Sequence, residues 1–235
     1  MHHRTRLVAA ILLLLLATMS SLAQKNSIKI AHITDEIDIL SLDDARWAKA
    51  HEVSVTTYWS AEKAPTTRQF KARLVWSPTA LYVRFEAEQH EPLIVSEKPD
   101  LTKKVVGLWD RDVCEIFIAP NKAERNKYFE FEIAPTGEWI DLGIEVTPAK
   151  RLTDLEYRSN MTSSVRVDKD KVVMAIKLPF ASLGKHPKTG DVWLGNLFRC
   201  VGKDPTRGYL AWRPTKSKEP AFHHPEAFGE FVFSK

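Results

Sequence analysis

Apolar and polar residues alternate along several short stretches of the chain. The clearest is residues 81–88, where apolar side chains occupy the odd-numbered positions and Tyr or charged side chains the even-numbered ones. A period of two is typical of a β-strand with one buried face. Residues 72–76 precede it, and a turn at residues 77–79 separates the two. The pair is therefore predicted to form a β-hairpin.

The same reasoning predicts further strands at residues 113–118, 128–133, 139–142, 164–167, 172–178, 193–201 and 231–233. Turn residues separate many of them, such as Pro135-Thr136-Gly137. Only residues 42–50 and 179–184 are predicted as short helical turns, the second ending on Gly184. Many short strands with minor short helices predict an all-β fold, an antiparallel β-sandwich of the immunoglobulin-like or jelly-roll kind.

The first residues have the features of an export signal. Arg4 and Arg6 precede an apolar run at residues 7–17, which is shorter than the roughly 20 residues that a membrane span needs. Ser21 and Ala23 provide the small side chains that signal peptidase requires. We predict a cleaved signal peptide at residues 1–23 and one domain at residues 24–235, secreted or periplasmic and without a membrane span; an uncleaved anchor is the alternative.

Composition excludes several classes of protein. Charged residues make up 27% and hydrophobic residues 44% of the 235 residues, which is an ordinary globular balance. The net charge of +4 is too small to indicate nucleic-acid binding. The two cysteines, Cys114 and Cys200, cannot build a disulfide-dense scaffold, and they are either bridged or two separate buried thiols. The aromatic content is the distinctive feature, with 7 Trp, 11 Phe and 5 Tyr.

Two neighbouring predicted strands place carboxylates and aromatic rings on a common face. If residues 114, 116 and 118 face the core, alternation turns Glu115 and Phe117 the other way. If residues 129, 131 and 133 face the core, Tyr128, Glu130 and Glu132 also point outward. Sugars bind such surfaces, because their C–H faces pack on aromatic rings and their hydroxyls need polar partners. The alternative is an ordinary solvated face.

Two more aromatic side chains lie in predicted loops. Trp109 directly precedes the strand at residues 113–118, and Phe222 lies in a long Pro-containing stretch, residues 213–228. Loops of that length are usually functional or disordered. Either ring could instead cover the core.

The order of five segments resembles the family 9 carbohydrate-binding modules, which are secreted β-sandwich domains often attached to xylanases and related enzymes. The segments are residues 41–50, 73–83, 109–118, 193–199 and 222–229. In the third, Trp109, Asp112, Glu115 and Phe117 resemble the family pattern W-x-x-D-x-x-E-x-F. The resemblance covers nearly the whole predicted mature chain.

The resemblance implies a site in which two aromatic walls enclose a terminal sugar. Trp109 matches the first wall, and Glu115 matches a carboxylate that accepts hydrogen bonds from hydroxyl groups. Phe222 stands where the second wall is a Trp, and Glu132 lies near a position that is basic in the family. The expected ligand is a chain end or a mono- to disaccharide, and Tyr128 is expected to join the site from the same face.

The family resemblance also implies that structural calcium is possible. Asp110, Asp112 and Asp141 could provide oxygen ligands, although their spacing is not that of an EF-hand. No other cofactor is expected.

Two further functions stay open at this point. A glycoside hydrolase needs two carboxylates, and Glu130 and Glu132 are roughly 6.5–7 Å apart by strand rise, near the lower edge of the range of ~6.5–9.5 Å for inverting enzymes. No known hydrolase motif accompanies them. The other alternative is a β-sandwich that binds haem, carries out redox chemistry or binds another protein. Met161, Met174 or His223 would then be the haem ligands. The adjacent histidines His223 and His224 could also bind a metal ion. We expect a secreted, non-catalytic carbohydrate-binding protein that acts in carbohydrate catabolism, with an accessory protein of glycan degradation as a related alternative.

Overall fold

The computed structural model describes residues 26–235, and the predicted signal peptide, residues 1–23, lies outside them. Within this range, thirteen strands form one continuous sheet. The strands are β1 Ser27–His32, β2 Glu52–Val55, β3 Phe70–Trp76, β4 Ala80–Glu88, β5 Val113–Ala119, β6 Lys127–Ile133, β7 Trp139–Val146, β8 Arg151–Asp154, β9 Thr162–Val167, β10 Lys171–Pro179, β11 Val192–Val201, β12 Gly208–Ala211 and β13 Gly229–Ser234. Short 3-10 helices lie at Ala45–Lys49, Thr66–Arg68, Leu108–Asp110, Lys122–Glu124, Phe180–Leu183 and Pro225–Ala227. No helix between residues 26 and 235 is long and apolar enough to cross a membrane.

The sheet curls so that its two halves face each other across one apolar core. The strand order is β8-β7-β6-β5-β11-β13-β1-β3-β4-β10-β9, with β12 added to β11 and β2 added to β3. Ile116 and Phe131, from one half, share the central core with Phe85 and Met174, from the other. The predicted β-sandwich is confirmed. Its pairing departs from a purely antiparallel pattern at β1, which runs parallel to both β13 and β3.

The strongest sequence patterns correspond to observed strands. In β4, the side chains at positions 81, 83, 85 and 87 all enter the central core, as their alternation predicts. Both predicted helical turns are present as 3-10 helices, and Gly184 ends the second in the left-handed conformation, at φ 67°. Strands β1, β2, β8 and β12 were not predicted.

The outer face of β5, β6, β7 and β11 carries a second apolar core. Leu108, Phe222 and Phe228, from two loops, cover it and pack on Phe117 and Phe198 of the sheet. The predicted direction of the side chains on β5 and β6 is correct, because residues 114, 116 and 118 enter the central core whereas Phe117 enters the second core. The alternative of an ordinary solvated face does not describe the part of this face that the two loops cross, where Glu115 and Glu132 are buried.

Candidate functional site

A cleft of about 480 Å³ opens beside this second core. Its floor is the outer face of the sheet, where Glu115, Glu130 and Leu142 come from β5, β6 and β7. Trp109 and Phe222, from the two covering loops, also line the cleft. The remaining lining residues are Val106, Asp110, Phe117, Ile144, Arg151, Thr153, Leu155, Cys200, Tyr209, Pro220, Ala221 and His223.

Trp109 forms an exposed wall of the cleft. It lies in the 3-10 helix Leu108–Asp110, which follows a left-handed Gly107 at φ 85°, a conformation that favours glycine. The guanidinium group of Arg207 holds this loop by donating hydrogen bonds to the carbonyl oxygens of Trp109, at 2.8 Å, and of Arg111, at 2.7 Å. Because 38% of Trp109 is exposed, its indole ring is available to a ligand.

Phe222 is a different kind of wall. Its ring stacks on Phe198 with the ring centroids 4.1 Å apart and the planes at 13°. It also meets the ring of Tyr209 edge-on, at 6.1 Å. Only 9% of Phe222 is exposed, so most of its surface belongs to the second core. One ring face is therefore already used in packing, which limits the area it can offer to a sugar.

Three carboxyl groups meet at the floor of the cleft and directly beneath it. Glu115 and Glu132 are directly opposite each other on β5 and β6, and Glu130 lies two positions along β6 on the same face. Each offers an oxygen within 4.8 Å of the others. All three are buried, and burial raises the pKa of each carboxyl group, with the neighbouring carboxylates raising the pKa of Glu115 and Glu132 further. They cannot all be ionised unless a positive charge joins them.

The three carboxyl groups differ in their neighbours. The Sγ atom of Cys200 donates to Oε1 of Glu115 at 3.5 Å. The Nε2 atom of His223 lies 3.8 Å from Oε2 of Glu130. Within the described residues, the oxygens of Glu132 meet no hydrogen-bond donor other than a proton shared with the carboxyl group of Glu130. Glu132 does not line the cleft; it lies beneath the other two.

Tyr128 supports the site from behind. It is 2% exposed, and its hydroxyl group and the Nδ1 atom of His223 form a hydrogen bond at 2.8 Å. Its ring also stacks on Phe117, with centroids 5.5 Å apart. Burial, with smaller contributions from nearby positive groups, lowers the pKa of His223 to about 3, so this imidazole is neutral at physiological pH. Tyr128 therefore positions His223 and does not line the cleft itself.

The structure brings only part of the predicted site together. Trp109, Glu115 and Phe222 line one cleft, whereas Glu132 and Tyr128 lie behind it. Sequence reasoning did not identify the cleft residues Arg151 and Thr153, which lie on β8, or Tyr209, which lies on β12. Both strands are only four residues long, and every residue of β8 is exposed, so it has no buried face to produce an alternating pattern.

The aspartates considered for calcium have separate roles in the structure. Asp112 accepts hydrogen bonds from the backbone N–H groups of Ile94, at 3.2 Å, and Gly202, at 2.7 Å. Asp141 pairs with Lys104 at 2.5 Å, and Asp110 lines the cleft. Among residues 26–235, the acidic group with metal-ligand spacing is Glu115, Glu130 and Glu132 instead.

The haem ligands considered from the sequence are not adjacent. Met174 is buried in the central core. His223 lines the cleft on the opposite side of the β5–β6 region. Met161 only packs against the edge of the central core. His223 and Met174 therefore lie on opposite faces of the sheet and cannot serve as the two axial ligands of one haem iron.

The comparisons with known proteins agree with this architecture. The sequence profile described as "Carbohydrate family 9 binding domain-like" matches residues 39–235. A crystal structure from Bacteroides uniformis, of a protein to which carbohydrate binding is ascribed, has a TM-score of 0.68 at 15% identity, covering 89% of this chain and 99% of that one. No curated protein matches the chain.

Two structures of a family 9 carbohydrate-binding module from Caldicellulosiruptor kristjanssonii share the same fold. The complex with cellotriose has a TM-score of 0.63 at 17% identity and covers 88% of this chain and 93% of that one. The complex with glucose has a TM-score of 0.62 at 16% identity and covers 88% of this chain and 95% of that one. At these identities the structures show a shared fold, while the sequence profile spans most of the chain. The chain therefore belongs to the carbohydrate family 9 binding domain-like family.

Proposed function

We propose that the chain is an exported, non-catalytic protein that binds a saccharide in the cleft beside Trp109. One observation carries the proposal: an exposed indole ring stands at the edge of a cleft whose floor presents carboxyl groups. Flat apolar surface next to fixed hydrogen-bonding groups matches the two faces of a pyranose. The cellotriose and glucose complexes of structurally similar modules support a saccharide as the ligand class.

The proposed binding mode gives each cleft residue a defined task. Trp109 stacks on the C–H face of a terminal sugar, and Phe222 supplies a smaller apolar wall. Glu115 and Glu130 accept hydrogen bonds from hydroxyl groups, and Arg151 donates to hydroxyl oxygens. A site with one free aromatic face binds weakly, so we expect dissociation constants from micromolar to millimolar, roughly −8 to −4 kcal/mol.

The position of Glu132 supports a non-catalytic role. A glycosidase needs one carboxyl group on each side of the scissile bond. Glu130 lines the cleft but Glu132 lies beneath it, so this pair cannot flank a bound sugar. We expect no release of reducing ends from glucans or xylans. Activity that disappears in Glu130→Gln would contradict this part of the proposal.

Calorimetric titration with gluco- and xylo-oligosaccharides tests the proposal. We expect saturable binding by the wild type, weakened about tenfold or more in Trp109→Ala, which corresponds to about 1.4 kcal/mol. Leu40→Ala is the matched control, because Leu40 is 72% exposed and lies outside the cleft. Absence of binding to every saccharide, or equal binding by the wild type and Trp109→Ala, would refute the proposed site.

A further inference from the structure

The contacts within the protein do not explain why three carboxyl groups, those of Glu115, Glu130 and Glu132, are buried together at the cleft floor. Glu132 is 0% exposed, and within residues 26–235 its oxygens and Oε2 of Glu130 meet no hydrogen-bond donor other than a proton shared between these two carboxyl groups. A buried polar group left without a partner costs about 1–3 kcal/mol, and more if it is charged. Native proteins rarely retain such a group unless something that binds there satisfies it.

No basic side chain of the described part of the chain neutralises the cluster. Among the described residues, none of the three glutamates forms an ion pair with a Lys or Arg, and the imidazole of His223 stays 3.8 Å from Oε2 of Glu130, beyond hydrogen-bond distance. Arg207 and Arg151 act on Glu115 and Glu130 only over longer distances. Residues 26–235 therefore place no cationic side chain among the three carboxyl groups.

A sugar in the cleft does not provide a polar partner for all three carboxyl groups. Glu115 and Glu130 line the cleft and can meet hydroxyl groups, but Glu132 lies beneath them and does not. A group that satisfies all three must sit between them, within the 4.8 Å that separates their ligand oxygens. This spacing suits a single ion, and the cleft that Glu115 and Glu130 line lies directly beside it.

We propose that Glu115, Glu130 and Glu132 form a binding site for a divalent cation that prefers oxygen ligands, Ca²⁺ or Mn²⁺. Three carboxylates supply up to six oxygens, which suits the six to eight oxygen ligands of Ca²⁺ and the hard-ligand preference of Mn²⁺. Their arrangement on two paired strands makes the site rigid, because Glu115 and Glu132 are held in register by the sheet. The softer neighbours Cys200 and His223 contact single carboxylates at the rim of the cluster.

The position of the cluster also gives the cation a role in ligand binding. An ion held from below by Glu132 faces the cleft on its other side. Hydroxyl oxygens of a bound saccharide would complete its coordination there. This last step rests on the proposed saccharide function, whereas the cation site itself does not.

Titration with Mn²⁺ tests the cation site. The protein is treated with a chelator, and free Mn²⁺ is then measured by electron paramagnetic resonance as it is added. We expect one site per chain, with affinity reduced at least about tenfold in Glu132→Gln. Glu97→Gln is the control, because it removes an exposed carboxylate elsewhere. Circular dichroism establishes that Glu132→Gln is folded, and Glu115→Gln serves as a second variant if it is not.

The outcomes separate this inference from the proposed function. Failure of the wild type to bind millimolar Mn²⁺ or Ca²⁺, or equal affinity in the wild type and Glu132→Gln, would overturn the cation site and show that protons alone occupy the cluster. If the protein binds saccharide in the presence of chelator and binds no cation when one is added, this inference is overturned and the proposed function stays intact. Cation binding that is lost in Glu132→Gln supports the site even if no saccharide binds.

Discussion

Cys114 and Cys200 lie on neighbouring strands but point to opposite faces of the sheet. In the pairing of β5 with β11, Cys114 is opposite Arg199 and Cys200 is opposite Val113. Cys114 enters the central core and Cys200 enters the second core beside the cleft. Strand alternation therefore separates the two sulfur atoms by the sheet itself, and both are free thiols.

We expect two free thiols per chain and no disulfide. Both thiols are buried, and burial raises the pKa of Cys114 to about 12, so little reactive thiolate forms. A thiol reagent should react slowly with the native protein and titrate two thiols after unfolding under non-reducing conditions. A disulfide-linked peptide containing both residues, found by mass spectrometry, would contradict the sheet register.

Gly195→Ala should strongly destabilise the fold. A Cβ atom at this position would lie 2.2 Å from Cε2 of Phe231 and 2.3 Å from the carbonyl oxygen of Phe117. The second of these is backbone in a paired strand and cannot move aside. We expect a loss of about 2–4 kcal/mol in the free energy of unfolding, measured by denaturant titration. Gly143→Ala is the control, because its nearest atom would be at 3.4 Å; equal stability of the two variants would refute the packing at Gly195.

Arg199→Lys should also destabilise the protein. Arg199 is buried, and its guanidinium group donates to the carbonyl oxygens of Arg68 and Glu88, both at 2.7 Å, and to Oε1 of Gln89 at 2.5 Å. A lysine ammonium group cannot reproduce this planar set of donors. We expect a loss of about 3 kcal/mol in thermal or chemical unfolding. Arg158→Lys, at a side chain that is 53% exposed, should change stability by less than about 0.5 kcal/mol.

Glu36 should make stability depend on acid pH. Burial alone would raise its pKa, but hydrogen bonds from Lys177, Ser77, Thr79 and Tyr82 outweigh burial and lower the pKa to about 2. The unfolded chain, with the ordinary value near 4.5, therefore binds the proton first as pH falls. The stabilisation is complete above about pH 5 and is lost between that pH and about pH 2.

The Glu36→Gln variant isolates this effect. Because the side chain is 41% exposed, solvent screening reduces the contribution to about 1–2 kcal/mol. Unfolding measured from pH 7 to pH 3 should show a shallower loss of stability in the variant than in the wild type. Parallel curves for the two proteins would mean that Glu36 has an ordinary pKa in the folded state.

Trp109 and Phe222 should respond differently to truncation. Trp109 is 38% exposed, so Trp109→Ala should cost only about 1 kcal/mol of stability, while it weakens saccharide binding. Phe222→Ala removes a ring that stacks on Phe198 and covers the second core, so it should cost about 2–3 kcal/mol of stability as well. Thermal unfolding of both variants distinguishes them, and equal melting temperatures would contradict the assigned packing of Phe222.

The sequence predicted the elements whose faces differ in polarity. β4 has one face in the core and charged residues on the other, and its alternation was recognisable without any tertiary information. β8 is exposed at every residue and β12 is only four residues long, so neither carries such a signal. Both strands contribute residues to the cleft, which is why part of its lining was not predicted.

The burial of the cleft floor also lay beyond sequence reasoning. Glu115 and Glu132 were correctly placed on one face by alternation, but whether that face meets water depends on the path of distant loops. Phe222 and Phe228 reach it from far along the chain and exclude solvent. A charged residue on a strand indicates which face it lies on, and only the tertiary structure determines its degree of burial.

The parallel pairing of β1 with β13 has a consequence for how the molecule is assembled. Ile28 pairs with Phe231. The strand pair β1–β13, which joins the two halves of the sheet, therefore forms between segments separated by nearly the entire sequence. Contacts of such high contact order make folding slow, on the order of milliseconds to seconds. Until β13 has been synthesised and inserted, β11 and β1 each present an unpaired edge, to which a β13 strand from a second molecule could add. Refolding yield should therefore fall as protein concentration rises, because strand exchange between molecules competes with closure within one.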